Sequence, residues 1–154
     1  MELESSTAPS LDEEELDQLM AVADKAKLKA YSPYSNYRVG AALLASSGDT
    51  YGGCNVENSS YGLTICAERT ALFKAASNGE RNFKAIVVTS DHSEEFIYPC
   101  GACRQVLSEF GNMDVYMMQP SGRIRRTTLE ALIPFSFSKK ILDDAEKQRL
   151  EEWE

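Results

Sequence analysis

The chain has little of what several classes of protein need. It contains one histidine and one tryptophan in 154 residues. Its longest clearly apolar run, Val39–Ala45, is far shorter than the roughly 18 residues that a membrane-spanning helix needs. Basic residues are outnumbered by acidic ones, 16 to 24, for a formal net charge of -8. Because nucleic-acid-binding proteins neutralise phosphates with lysine and arginine, we expect neither a membrane nor a nucleic-acid partner.

A targeting segment is also missing. Residues 1–15 are acidic and lack the basic and apolar regions of a signal peptide. This predicts a cytoplasmic protein, which works in a reducing compartment. In such a compartment the four cysteines point to metal binding or catalysis rather than to disulfides.

The residues that are present are typical of one globular domain. Hydrophobic residues make up 43% and charged residues 26% of the chain, close to ordinary usage. A chain of this length is sufficient for one domain with its own core. The pattern predicts a flexible N-terminus over 1–10, a domain over 11–138, and a charged C-terminal tail over 139–154 that forms an exposed helix or frays.

Apolar periodicity and turn residues predict the elements of the domain. A first helix runs from about Leu11 to Tyr31, with Ser10 as N-cap and Glu13 completing a capping box. The predicted strands are 37–45, 50–54, 85–90, 114–118 and 124–127, and the later helical segments are 66–76, 101–110 and 129–133. A helix between the third and fourth strands implies that they pair in parallel, while the first two form a hairpin. We therefore expect an α/β fold, a three-layer α/β/α sandwich around a mixed five-stranded sheet.

Three cysteines have the spacing of a zinc site. Cys100 and Cys103 are three residues apart at a predicted helix start, and Cys66 stands at another. Helix N-terminal amides stabilise thiolates, and catalytic zinc takes three protein ligands with one open position. Cys54 closes a strand and His92 lies in an acidic loop, so both are poor candidates for a fourth ligand. The pattern favours a catalytic zinc site over a structural one.

Charged residues flank these cysteines. Glu68 is placed to take a proton from zinc-bound water and to pass it to a substrate nitrogen. The alternative is that Glu68 only complements the dipole of its helix. Three thiolates and Zn²⁺ leave an excess negative charge, which Arg69 is expected to offset by hydrogen bonding to a thiolate. Arg104 could hydrogen-bond a thiolate in the same way, but the sequence is equally compatible with a solvated surface position for its side chain.

These residues resemble those of a known family. Cys66-Ala67-Glu68 followed by Pro99-Cys100-Gly101-Ala102-Cys103 is similar to the zinc deaminase pattern. Cysteine as the first ligand resembles the small three-cysteine cytidine deaminases of nucleoside salvage. The likeness covers about residues 11–138 and includes the strings Pro-Tyr-Ser-Asn-Tyr-Arg-Val-Gly-Ala-Ala-Leu at 33–43 and Gly-Cys-Asn-Val-Glu-Asn at 53–58.

The resemblance implies an activity and an assembly. The reaction would be hydrolytic deamination of cytidine and 2′-deoxycytidine to uridine and 2′-deoxyuridine, in pyrimidine salvage, with release of ammonia. Zinc-bound hydroxide would attack C4, with one Zn²⁺ per subunit on Cys66, Cys100 and Cys103 and with Glu68 moving protons. The family is also homotetrameric, with active sites shared between subunits.

The resemblance further implies a substrate-binding set: Tyr37, Asn55, Val56, Glu57, Ser59, Tyr61, Ala67 and Phe137. Asn55 and Glu57 would hold sugar hydroxyls, although Asn55 could instead cap a turn. Tyr37 would lie near the pyrimidine, where the family usually has phenylalanine, so its hydroxyl needs a partner. Tyr61 and Phe137 would approach the site partly from neighbouring subunits.

Three rival functions remain open at this point. A deaminase of nucleoside antibiotics would share the metal site but not the Asn55 and Glu57 pair. A non-catalytic zinc module would need four protein ligands and no Glu68. A redox protein would use Cys100 and Cys103 as a dithiol.

Overall fold

The computed structural model describes residues 9–151. In this part of the chain, five strands form one sheet in the order β2-β1-β3-β4-β5. The strands are β1 (Val39–Ala45), β2 (Thr50–Cys54), β3 (Phe83–Ser90), β4 (Asp114–Met118) and β5 (Ile124–Thr128). The helices are α1 (Glu13–Lys27), α2 (Ala67–Ser77), α3 (Gly101–Ser108), α4 (Leu129–Leu132) and α5 (Lys139–Glu151), with a 3₁₀ turn at Tyr61–Leu63. β3 pairs with β4 in parallel and the other neighbouring pairs are antiparallel, which confirms the predicted mixed sheet.

The two faces of the sheet carry separate clusters of buried side chains, because successive strand residues point in opposite directions. Ile86 and Val88 of β3 belong to the cluster that includes α2, α3 and α4, whereas Ala85 and Val87 belong to the cluster that includes α1. All four side chains are fully buried, as expected for a central strand. Helices therefore cover both faces, and the predicted three-layer sandwich is confirmed.

Two glycines allow the helices to lie close to the sheet. A Cβ atom at Gly40 would overlap the carbonyl oxygen of Ala23 in α1. A Cβ atom at Gly53 would overlap the backbone nitrogen of Ala71 in α2. Since Cys66 and Glu68 lie at the start of α2, Gly53 helps to set the distance between these two residues and the sheet.

We expect Gly53→Ala to lower the free energy of unfolding by about 1–3 kcal/mol, since an overpacked position must shift its neighbours and here the nearest neighbour is backbone. Gly62→Ala is the matched control, because a Cβ there meets nothing within 4 Å. Urea unfolding of both variants measures the effect. Equal stabilities would contradict the close approach of α2.

Several predicted boundaries were wrong. Asp12, not Ser10, is the N-cap of α1, and Glu15 completes the capping box. The helix ends at Lys27, because the amides of Lys29 and Ala30 bind carbonyls three residues earlier instead of four. Tyr31 then pairs with Val56 in an isolated bridge. Strand β1 begins at Val39, so Tyr37 lies in the loop before it, and α3 ends at Ser108 rather than at residue 110.

The tail from Lys139 to Glu151 is the helix α5, which is exposed where its side chains are described. The predicted disorder of the N-terminus falls mostly on residues 1–8, which lie outside the described residues. Across residues 9–151, none of the helices has the length and apolarity needed to cross a membrane.

A buried carboxylate connects the N-terminal side of α1 to the sheet. Asp114 accepts hydrogen bonds from the Ser10 hydroxyl (2.7 Å) and amide (2.8 Å) and from Arg126 (2.9 Å). Burial by itself would raise the pKa of Asp114, but the hydrogen bonds from Arg126 and Ser10 outweigh it and hold the pKa below its usual value.

A carboxyl with a lowered folded-state pKa stabilises the fold above its unfolded pKa, and the contribution is lost as the pH falls through the folded value. We therefore expect Asp114→Asn to be less stable than the wild type at pH 7. The gap should shrink below about pH 4, where the carboxyl of the unfolded chain takes up a proton while that of the folded protein is still ionised. Urea unfolding from pH 7 to pH 3 measures it, and a constant gap would contradict this role for the ionised carboxylate.

Candidate active site

Three sulfurs converge where two helices begin. Cys66 is the N-cap of α2, Cys100 is the N-cap of α3, and Cys103 lies in the first turn of α3. Their Sγ atoms lie within 4.8 Å of one another, and those of Cys66 and Cys100 are 3.9 Å apart. Tetrahedral zinc with Zn–S bonds of about 2.3 Å places two sulfurs about 3.8 Å apart, so this donor set fits zinc. Within residues 9–151, no other histidine, cysteine or carboxylate joins the group.

The surroundings of Cys66 favour its thiolate, which is the form that binds metal. The pKa of Cys66 is lowered to about 5, first by a hydrogen bond from the Cys103 thiol and then by Arg69. The pKa of Cys103 is raised, because Cys103 donates to Cys66 and is buried. Arg69 Nη2 donates to Cys66 Sγ at 3.4 Å, and Arg69 Nε is a buried donor without a partner among the described residues. A cation thus lies directly against the sulfur cluster.

Glu68 lies in the first turn of α2 and is only 5% exposed. Burial raises the pKa of its carboxyl to about 7, and the negative charge on Cys66 adds to the shift. A carboxylate that only complements the helix dipole can do so while exposed to water, and burying its charge costs free energy. The burial of Glu68 therefore does not fit that role alone. A pKa near neutrality allows the group both to accept and to donate a proton.

Asn55 holds together the backbone on the strand side of the site. Its Oδ1 accepts from the Val39 amide at 2.9 Å, and its Nδ2 donates to the Tyr37 carbonyl at 2.8 Å. The next residue, Val56, forms a bridge with Ile65 through two backbone hydrogen bonds of 2.9 and 3.0 Å. Since Ile65 precedes Cys66, this bridge connects the Asn55 segment to the sulfur cluster.

Glu57 lines a shallow cavity of about 170 Å³ together with Tyr34, Ser35, Tyr61 and Thr64. Its Oε1 accepts from the backbone amides of Tyr34 (3.0 Å) and Ser35 (3.2 Å). Hydrogen bonding, first from the Ser35 side chain, lowers the pKa of the Glu57 carboxyl. The cavity therefore contains an ionised acceptor beside aromatic rings, those of Tyr34 and Tyr61, whose centroids are 5.6 Å apart.

The hydroxyl of Tyr37 has a protein partner. It donates to the Ser90 hydroxyl at 3.0 Å, and Ser90 also accepts from the His92 amide at 3.1 Å. Ser90 is only 2% exposed and is aligned with Val39 across the sheet. Sequence reasoning missed Ser90, because only strand pairing places the end of β3 beside Tyr37.

The remaining predicted substrate-binding residues differ in exposure. Ala67 is fully buried at the start of α2, whereas Tyr61 and Phe137 are 73% and 58% exposed. Ser59 is also exposed. The rings of Tyr61 and Phe137 are therefore largely exposed on the surface of the single chain.

Two residues considered as ligands lie elsewhere. The Cys54 thiol donates to the Lys29 carbonyl at 3.4 Å. His92 Nδ1 accepts from the amides of Glu94 and Glu95 at 3.2 and 3.4 Å, so it caps a turn. Neither joins the sulfur cluster.

Comparisons with known proteins identify the class that this fold and site define. Residues 13–119 match the family described as the cytidine and deoxycytidylate deaminase zinc-binding region. The chain is 52% identical to a cytidine deaminase of Sporosarcina psychrophila, over 87% of this chain and 99% of that protein. It is 48% identical to a probable cytidine deaminase of Dictyostelium discoideum, over 86% of this chain and 90% of that protein.

A solved structure agrees. The 1.6 Å crystal structure of cytidine deaminase from Burkholderia pseudomallei matches with a TM-score of 0.75 and 47% identity, covering 79% of this chain and 98% of that one. The chain belongs to the cytidine and deoxycytidylate deaminase family. Its three-cysteine cluster is accordingly the site for one zinc ion per chain.

Proposed function

We propose that the protein catalyses the hydrolytic deamination of cytidine and 2′-deoxycytidine to the corresponding uridines, with release of ammonia, and that it serves pyrimidine salvage in the cytoplasm. The observation that carries this proposal is the buried Glu68 beside three sulfurs that have no fourth protein ligand within residues 9–151. The names of the similar proteins support it.

The proposed mechanism assigns the proton transfers to Glu68. Zinc, when bound by the three cysteines, supplies a Lewis acid that makes water a nucleophile at neutral pH. A carboxylate oxygen of Glu68 accepts a proton from the water that attacks C4. Glu68 delivers this proton to N3. It then takes the proton of the hydroxyl group now on C4 and passes it to the leaving amino group, so that the C4–N bond breaks as ammonia departs and the C4 carbonyl forms.

Other residues bind and orient in this proposal. Arg69 offsets the negative charge of the thiolates, which would otherwise weaken the metal as a Lewis acid. Asn55 and Glu57 bind sugar hydroxyls, supported by the position of the Glu57 carboxylate in the 170 Å³ cavity. Val56, Ser59 and Ala67 contribute to the walls of the substrate site. Tyr37 lies against the base, with its hydroxyl held by Ser90.

We also propose a homotetramer whose active sites are shared between subunits. The exposure of Tyr61 and Phe137 supports it, because large exposed aromatic side chains are common at interfaces. The division of the chain into a flexible N-terminus (1–10), a deaminase domain (11–138) and a charged C-terminal tail (139–154) stays a prediction. Sedimentation equilibrium would test the assembly, and a monomer that is fully active would overturn the sharing of sites.

The activity is tested by following the absorbance of cytidine on addition of purified protein. We expect loss of cytidine with release of ammonia, and loss of this activity after treatment with a strong zinc chelator. Deoxycytidine should react as well. An absence of turnover by zinc-loaded protein on both nucleosides would overturn the proposal.

A further inference from the structure

Two side chains of α3 bind backbone carbonyls at the end of α4 and just beyond it. Arg104 Nη1 donates to the Leu132 carbonyl at 2.9 Å, and its Nε donates to the Pro99 carbonyl at 2.7 Å. Gln105 Nε2 donates to the Phe137 carbonyl at 2.8 Å. Both side chains directly follow Cys103 in sequence. The helix that carries two of the three sulfurs therefore also holds both ends of the segment 132–137.

Leu132 and Ile133 at the start of this segment pack at the core, but the residues that follow them are exposed or half-buried. Phe135 has a φ of 59°, a left-handed conformation that is unfavourable for a residue with a side chain and persists only where the surroundings enforce it. The Phe135 side chain is fully exposed and that of Phe137 is 58% exposed. Packing of these rings within the chain contributes little, so the hydrogen bonds at the two ends restrict the segment.

We propose that Arg104 and Gln105 are positioning residues, which fasten the segment 132–137 to α3 and so hold Phe137 in the orientation in which it joins a nucleoside site shared between subunits. This inference rests on the proposed function, in which Phe137 contributes to a nucleoside site. A helix is rigid over one turn, so the hydrogen bond from Gln105 holds the Phe137 backbone in a fixed position on its own subunit. The ring is then held in place before substrate binds, which reduces the ordering cost of binding.

The test uses Gln105→Ala, because within residues 9–151 the Gln105 side chain binds the segment alone, whereas Arg104 also binds the Pro99 carbonyl, next to Cys100. We expect the KM for cytidine to rise about fivefold, the size of effect that follows from loss of one hydrogen bond, with kcat within about twofold of the wild type and zinc content unchanged. Gln18→Ala is the matched control, since Gln18 is an exposed helical glutamine that binds Glu14. It should leave both constants unchanged.

A double-mutant cycle with Phe137→Ala separates positioning from general stability. If Gln105 acts through the Phe137 ring, Gln105→Ala should have almost no further effect on KM in the Phe137→Ala background. A rise in KM of the same factor in both backgrounds would overturn the inference, as would an unchanged KM in an active Gln105→Ala enzyme.

Hydrogen exchange provides a readout that does not depend on activity. Amides in peptides spanning residues 133–140 should exchange at least about tenfold faster in Gln105→Ala than in the wild type or in Gln18→Ala. Wild-type protein that does not deaminate cytidine would overturn the proposed function, and the exchange measurement would still test the fastening. Unchanged exchange would overturn the inference even if the enzyme is active.

Discussion

Replacing Glu68 by glutamine should lower kcat for cytidine by about 10³-fold while the protein keeps one zinc per chain. Glutamine has nearly the same shape but cannot move a proton, and general acid–base catalysis contributes typically about 10² to 10⁴-fold. Since Glu68 is 5% exposed and its pKa is raised to about 7, the neutral amide should not destabilise the fold. Steady-state kinetics, zinc analysis and thermal unfolding of the same preparation measure the three quantities.

Glu13→Gln is the control for this experiment. Glu13 occupies the first turn of α1, as Glu68 occupies that of α2, but Glu13 is exposed and α1 packs on the opposite face of the sheet from α2 and α3. It should leave kcat unchanged. If Glu68→Gln were as active as Glu13→Gln, the carboxylate would be a helix-dipole residue and the mechanism would be wrong.

Replacing any of the three clustered cysteines by alanine should lower zinc affinity by more than about 100-fold. Even the loss of a residue that only hydrogen-bonds a metal ligand lowers metal affinity by about 10- to 100-fold. Turnover should fall with zinc content. Cys103→Ala should also be the most destabilised of the three in the metal-free form, since Cys103 is the buried member of the cluster and its replacement leaves a small cavity.

Cys54→Ala is the matched control, because the Cys54 thiol binds the Lys29 carbonyl away from the cluster. Zinc content should be measured by mass spectrometry after dialysis against a chelator of known affinity. Stoichiometric zinc in Cys66→Ala would remove Cys66 from the ligand set. Loss of zinc in Cys54→Ala would show that the ligand set is incomplete.

The sequence was sufficient for the parts of the fold that depend on local pattern. Residues 85–88 of β3 form an unbroken apolar run, which predicts a strand buried on both faces, and every residue of the strand except Lys84 is buried. The boundaries were less well predicted. Both Ser10 and Asp12 can cap a helix, and only the tertiary contact of Ser10 with Asp114 leaves the cap to Asp12.

The metal ligands were predictable for a similar reason. Cys100 and Cys103 are brought together by one helical turn, and Cys66 has the same relation to its own helix. The chemistry of thiolates and of a neighbouring carboxylate narrows the possible functions before any contact is known. Arg69, one turn from Cys66, is within this local range as well.

Contacts between distant residues were decided only by tertiary structure. The partner of the Tyr37 hydroxyl is 53 residues away in sequence, and the Leu132 carbonyl is 28 residues from Arg104. Residue type shows that a hydroxyl or guanidinium needs partners, but any of many carbonyls and hydroxyls can satisfy it. The sequence by itself therefore predicted the three-layer fold and the cysteine cluster that fits zinc, and it singled out the residue to which we assign proton transfer. Tertiary packing decided which residues fasten the loops around them, because these hydrogen bonds form between elements that only the folded sheet brings together.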